Sequence, residues 1–272
     1  MTEKNFQGRV SFDISNYSLF LLVQKQYSLS DLIMKKKFPI VAITLLLFLS
    51  ACIVSKEKLA GVEKVAFVSV MLKKEIDMSE FNSVAGMMSQ VLQDEEFDLE
   101  PITNRTKDKV KDELAKEMPF QLLPEEQVIN KDGYKEIVQE QGAFMKVSKY
   151  SYEIPTGYVP LNSLSKKGRL AALAAFPEAQ GVMYVRLSYR LNKISSIGGF
   201  GVAEIAATMD VAVYNRANKK ALYVQKRGRS EDRIKFALGG AFDAKKITSM
   251  CEEATEDAYQ KVSAYVNKKM AK

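Results

Sequence analysis

The stretch Gly181 to Leu191, GVMYVRLSYRL, alternates with a period of two. Val182, Tyr184, Arg186, Ser188 and Arg190 fall on one side; Met183, Val185, Leu187, Tyr189 and Leu191 fall on the other. Successive side chains of a strand point to opposite faces, so one face here is wholly apolar and the other turns polar along its length. Two more β-rich runs follow, Ala203 to Tyr214 (AEIAATMDVAVY) and Ala221 to Arg229 (ALYVQKRGR), joined by Asn215-Arg216-Ala217-Asn218-Lys219. An Asn-rich turn between such runs signals a hairpin. The second half of the chain therefore predicts a three-strand antiparallel meander.

Upstream, Lys64 to Leu72 (KVAFVSVML) is almost wholly apolar and Val-rich, which predicts a strand buried on both faces and ended by Lys73-Lys74-Glu75. A helix is expected from Met78 to Gln93, with Phe81, Val84, Ala85, Met88, Val91 and Leu92 at helical spacing. Asp94, Glu95, Glu96, Asp98 and Glu100 lack the glycine and the spaced oxygens of a calcium loop, so they read as a solvated helix end. Thr106 to Glu117 predicts a charged helix, Pro119 to Pro124 a short strand, and Glu125 to Val128 with Tyr134 to Gln141 two helical pieces around a turn at Gly133. Lys166 to Phe176 is an Ala-rich helix stopped by Pro177, and Lys245 to Lys269 a closing helix with a basic last turn that suits its dipole. The expected class is α/β (α+β): a mixed sheet with the meander in it and helices packed against it.

Two segments are candidate contact surfaces. Gly142 to Ser165 is expected to be irregular, and its tyrosines, Tyr150, Tyr152 and Tyr158, either face a partner or pack the loop onto the core. Ser195 to Gly201 (SSIGGFG) is either a flexible hairpin tip or an exposed apolar one, with Ile197 and Phe200 touching membrane, ligand or partner. It joins two strands and lacks the Lys-Ser/Thr of a phosphate loop, so nucleotide binding is excluded.

Composition narrows the chemistry. The 272 residues contain no histidine, which removes histidine-based nucleophile systems and histidine-ligated metals. No metal or cofactor is implied, and a non-enzymatic role is expected. Net charge is +7, with 40 Lys/Arg against 33 Asp/Glu of interspersed sign, unlike the clustered basic face of a nucleic-acid binder. Of two cysteines, Cys251 lies in a predicted helix beside Glu252 and Glu253 and reads as a buried structural thiol.

The other cysteine carries an address. Met34 and Lys35, Lys36 and Lys37 precede an apolar run from Phe38 to Leu49, then Leu49-Ser50-Ala51-Cys52. A basic start, a short apolar core and a small-residue junction make a secretory signal, and the run falls short of the ~20 residues needed to span a bilayer. The junction resembles the lipobox of bacterial lipoproteins. That resemblance implies cleavage after Leu49, Ser50 and Ala51 and lipidation of Cys52, and Ile53 in the next position resembles lipoproteins released to the outer membrane. Residues 1–33 fit a signal badly, and translation is expected to start at Met34; the alternative is a long cytoplasmic extension on an uncleaved anchor. The expected organisation is an upstream extension (1–33), a signal peptide (34–51), a polar tether (52–63) and a single periplasmic domain (64–272).

The order of elements resembles the periplasmic fold shared by the TolB amino-terminal domain and curli-secretion (CsgG)-type lipoproteins, on KVAFVSV (Lys64 to Val70), PFQLLPEEQV (Pro119 to Val128), AQGVMYVRLSYRL (Ala179 to Leu191) and VAVYNRANKKALYVQ (Val211 to Gln225). Together these features imply a lipid-anchored envelope protein that binds or scaffolds a partner of an envelope machine. The CsgG side of the resemblance implies an alternative, an oligomeric channel or ring component with Val182 to Val213 as its membrane or ring element.

Overall fold

Val-rich Lys64–Asp77 and alternating Gly181–Ile197 lie side by side within the sheet, in parallel. The computed structural model describes residues 53–54, 56–81, 91, 94–141, 151–237 and 242–271. In chain order these hold β1 (Ile53–Val54), α1 (Lys56–Leu59), β2 (Lys64–Asp77), α2 (Glu100–Asp112), β3 (Gln121–Leu122), α3 (Glu125–Ile129), β4 (Tyr152–Glu153), α4 (Lys166–Ala175), β5 (Gly181–Ile197), β6 (Phe200–Asn215), β7 (Lys220–Arg229), β8 (Ile234–Ala237) and α5 (Ala244–Met270), with short 3₁₀ turns at Leu114–Glu117 and Lys135–Gln141. The sheet runs β1-β7-β6-β5-β2-β3, with β4 on the outer edge of β2 and β8 beside β6. β5, β6 and β7 form the expected antiparallel meander, and β2 is parallel to both β3 and β5. The fold is the mixed α/β arrangement that the sequence predicts.

The two faces of β5 separate as its alternation requires. Met183, Val185, Leu187, Tyr189 and Leu191 join Phe67, Leu72, Ile205, Met209 and Val224 in the larger core, closed by α5 and α2. Val182 and Tyr184 belong to a smaller core on the opposite face, beneath Val128, Tyr134, Leu161 and the Ala172, Leu173 and Phe176 end of α4. Farther along this second face β5 carries Arg186 and Arg190, which pair with Asp210 and Asp77, each at 2.8 Å.

The closing helix fits the sheet through small residues. Ala254 and Ala258 of α5 are fully buried over Gly228 of β7. A Cβ on Gly228 would fall inside the van der Waals envelope of the Ala254 carbonyl oxygen and the Ala258 backbone nitrogen. Asp243 caps the helix by accepting from the Lys246 N–H at 2.9 Å, and Lys268 and Lys269 occupy the last turn. Arg105 and Lys109 of α2 reach across to Glu252 and Glu256 of α5. These bridges are partly or largely solvent-exposed and contribute little beside the buried Ile247, Met250, Val262 and Val266, each worth about 1.5–3 kcal/mol.

Three expectations need correction. The tether is folded: Ile53 and Val54 pair antiparallel with Tyr223 and Leu222, and Leu59 and Val62 are buried. Lys73-Lys74-Glu75 does not end β2, because β4 pairs at Leu72 and Lys73, and beyond an irregularity between Leu72 and Ile76 the pairing to β5 resumes. The helix expected from Thr106 begins at Glu100 and gives way to the 3₁₀ turn at Leu114. The run Val182 to Val213 lies at the middle of the sheet; most of its apolar side chains are buried in the two cores, and Ile194, Ile197 and Phe200 are exposed. Most of the helix expected from Met78 to Gln93 lies outside the described residues.

Gly228→Ala drives a methyl into the backbone of α5, and a stability loss of about 3 kcal/mol is expected, since the helix must lift along its length. Urea unfolding should show a lower midpoint with an unchanged slope. Burial also raises the pKa of the Cys251 thiol and of the Tyr134, Tyr184 and Tyr189 phenols. Such groups stay protonated in the fold while the unfolded chain loses protons, so their stability is complete at neutral pH. It should fall by about 1.4 kcal/mol per pH unit and group once pH passes the ordinary thiol and then phenol ranges. Urea midpoints measured from pH 7 to 11 test this, and a flat profile across that span would refute it.

Candidate functional site

Beyond Leu191 the alternation of β5 becomes polar, Asn192-Lys193, and the strand nevertheless continues to Ile197. Gly198 and Gly199 adopt φ of 57° and 88°, the left-handed pair that a two-residue hairpin turn demands. The turn sets Ile197 directly opposite Phe200 across the ladder. Ile197 is 87% exposed and Phe200 68%, and Ile194 stands exposed just behind them at a bulge between Lys193 and Ser195. The hairpin body is buried, so these three side chains form a small apolar point at the end of a stiff arm.

Its neighbours brace the arm. β8 pairs Ala237, Phe236, Lys235 and Ile234 with Phe200, Gly201, Val202 and Ala203. Gly201 is glycine for a steric reason: the Phe236 ring and the Ser195 carbonyl occupy the space a side chain would need. Phe236 meets Phe81 edge to face at 5.0 Å, Lys193 lies 5.1 Å over the Phe81 ring, and the Lys193 N–H donates to the Glu80 carboxylate at 2.9 Å. The glycine-rich stretch is therefore a tight turn with a lateral strand beside it and not a flexible loop. The structure places the Ile197 and Phe200 side chains in solvent.

The polar half of the second sheet face holds a cluster that sequence reasoning missed. Asp210 is 8% exposed and stands in register between Arg186 and Gln225. Its Oδ2 accepts from Arg186 Nε at 3.2 Å and Nη2 at 2.8 Å, while Oδ1 accepts from Gln225 Nε2 at 2.7 Å and the Tyr223 hydroxyl at 3.2 Å. Four donors saturate this carboxylate. An acid–base role needs a carboxylate with a lone pair to spare, whereas this one ties three strands together. The signal that could have found it is a lone Asp inside the apolar run AEIAATMDVAVY opposite an Arg in the preceding strand, which only the register reveals.

The tyrosines divide. Tyr158 is 8% exposed and lies edge to face with Phe67 at 5.8 Å, so it follows the packing reading and offers a partner little surface. Tyr152 is half-buried in β4 opposite Lys73. Tyr134 holds the smaller core to β2, its hydroxyl donating to the Val68 carbonyl at 2.6 Å. Cys251 is buried and free, and burial pushes its thiol pKa far up, which makes it unreactive in the fold. Tyr150 and the junction Leu49, Ser50, Ala51 and Cys52 lie outside the described residues. Among the described residues no group of three or more His, Cys, Asp or Glu is placed to hold a metal, and no helix is long and apolar enough to cross a membrane.

No family model and no curated protein matches the chain. Among solved structures it is similar to the hypothetical protein CT253 from Chlamydia trachomatis, at 12% identity and a TM-score of 0.35, over 75% of this chain and 98% of that one.

In a double-mutant cycle with Arg186→Ala and Asp210→Ala, the pair should show a coupling of about 1–2 kcal/mol by chemical denaturation. The figure lies below the cost of breaking a fully buried pair because the Arg186 side chain is 37% exposed. Additive single effects would show that the cluster does not act as a unit.

Proposed function

We propose that this chain is a lipid-anchored protein of the bacterial cell envelope that binds a partner protein through the tip of its β5–β6 hairpin, without catalysis. The observation that carries this reading is the pair Ile197 and Phe200, set out in solvent by a braced two-glycine turn. Exposed apolar side chains lower solubility and do nothing for the core, so their presence at the end of a rigid arm favours contact with another molecule. Buried apolar anchors at the centre of a small interface commonly dominate its energy, and a pair of this size suits a shallow pocket on a partner. The lipobox-like Leu49-Ser50-Ala51-Cys52 supplies the address. Several acyl chains on Cys52 would hold the protein stably where one alone is marginal.

The alternative, a channel or ring component, differs in oligomer size. Light scattering on the processed protein in mild detergent distinguishes the two: a monomer or dimer supports the accessory role, and a closed ring of many copies overturns it.

The contact itself is tested with a photo-crosslinking residue at position 197 in the bacterial host. A discrete adduct is expected, and Phe200→Ser in the same chain should reduce it at least tenfold. The double variant Ile197→Ser, Phe200→Ser should leave unfolding stability within about 0.5 kcal/mol of the parent, because neither side chain packs in the core. An adduct yield indifferent to Phe200 would remove the tip from the interface.

A further inference from the structure

We infer that the β7 edge of the domain rests on an anionic phospholipid surface. The inference deepens the anchored-protein reading and rests on acylation of Cys52. Cys52 is bonded directly to Ile53, and Ile53 is already paired with Tyr223 in the sheet. One residue spans less than about 4 Å, so an acyl anchor at Cys52 leaves no linker between bilayer and domain. The strand brought to the headgroups is β7.

Its charge suits that position. The segment 216–229, which comprises β7 and the turn before it, carries Arg216, Lys219, Lys220, Lys226, Arg227 and Arg229 and contains no Asp or Glu. Two of the six are engaged elsewhere: Arg216 caps the end of α4 through the Leu173 and Phe176 carbonyls, and Arg229 pairs with Glu204 at 3.3 Å. Lys219, Lys220, Lys226 and Arg227 form no ion pair among the described residues. Lys220 lies 4.3 Å over the Tyr223 ring and Lys226 3.9 Å over the Tyr265 ring. These contacts set the Lys220 ammonium over a ring of β7 and the Lys226 ammonium over a ring of α5, and leave both charges without a carboxylate.

The direction of approach follows from the pleat. Lys226 stacks on α5, on the face of the larger core, while Arg227, one residue on, projects from the opposite face. Only a surface that meets the sheet edge-on engages both, and a planar array of phosphates is such a surface. Lys269, 5.7 Å from the Tyr265 ring, extends the patch onto the last turn of α5. Long basic stems can lie along apolar surface while their charges reach headgroups. Each basic side chain near an anionic bilayer strengthens attachment about fivefold.

The test uses the full gene expressed in a bacterial host, with the processed protein placed in vesicles of phosphatidylcholine alone or phosphatidylcholine mixed with phosphatidylglycerol. Mass spectrometry first reports whether Cys52 is acylated. Hydrogen exchange across residues 220–229 is then compared between the two vesicles. We expect slowing of about fivefold or more in the anionic vesicles, abolished by high salt and by the combined variant Lys219→Gln, Lys220→Gln, Lys226→Gln, Arg227→Gln, whose unchanged thermal midpoint reports an intact fold. An acylated chain with equal exchange in both vesicles overturns the inference and leaves the anchor standing. A chain not acylated at Cys52 overturns the anchor and the inference together, and protection that survives both salt and the variant assigns the edge to an uncharged contact instead.

Discussion

The rest of the structure depends on how closely α5 approaches the sheet at Gly228. A 27-residue amphipathic helix gains most of its stability from what it covers. Here it covers the face formed by Met183, Val185, Leu187, Met209, Val211 and Val224, and it does so at backbone distance because Ala254, Ala258 and Gly228 are small. Larger residues at that crossing would lift the helix, and every side chain along the interface would lose dispersion contacts together. The close fit also explains why Cys251 and Tyr189 are sealed and why the Tyr189 hydroxyl bonds Thr255 at 2.7 Å inside the core.

Much of this architecture is legible in the residues, and the boundary of legibility has a physical reason. The period-two pattern of Gly181 to Leu191 is long enough to separate both faces, and Asn215 marks the β6–β7 turn by accepting from the Ala217 and Lys219 N–H groups at 3.1 and 3.0 Å. Two-residue strands such as β1, β3 and β4 carry no period at all, and they exist because a partner edge is present. The same holds for residues 53–62, whose apolar and charged residues follow no period and whose Leu59 and Val62 are buried only in the folded protein. The Asp210 cluster depends on register, which sets Arg186, Asp210 and Gln225 in one row and is a property of pairs of strands.

The candidate site shows the same division. Its residues, Ile197 and Phe200, are visible in the sequence, but their rigidity is not. That rigidity comes from β8, a four-residue strand after a break, and from a ring, Phe236, that takes the place of a side chain at Gly201. A tip that is already ordered loses little conformational entropy on contact, so a small apolar area suffices for useful affinity. The braced hairpin thus links a sequence feature, the Gly-Gly turn, to a binding property through packing at a distance.

The long β6 strand also acts as a ruler. Its residue Ala212 lies in the row of Tyr223, to which Ile53 is paired, and Phe200 lies at its far end. Twelve residues of extended chain separate the two, about 40 Å at 3.4 Å per residue. Because this strand is flanked by neighbours on both sides, the spacing behaves as a fixed offset and not as a leash. Whatever grips the tip is held one strand length from the place where the chain joins the sheet, and adding or removing two residues on each strand at the turn would change that standoff in steps of about 7 Å while keeping every side chain on its own face.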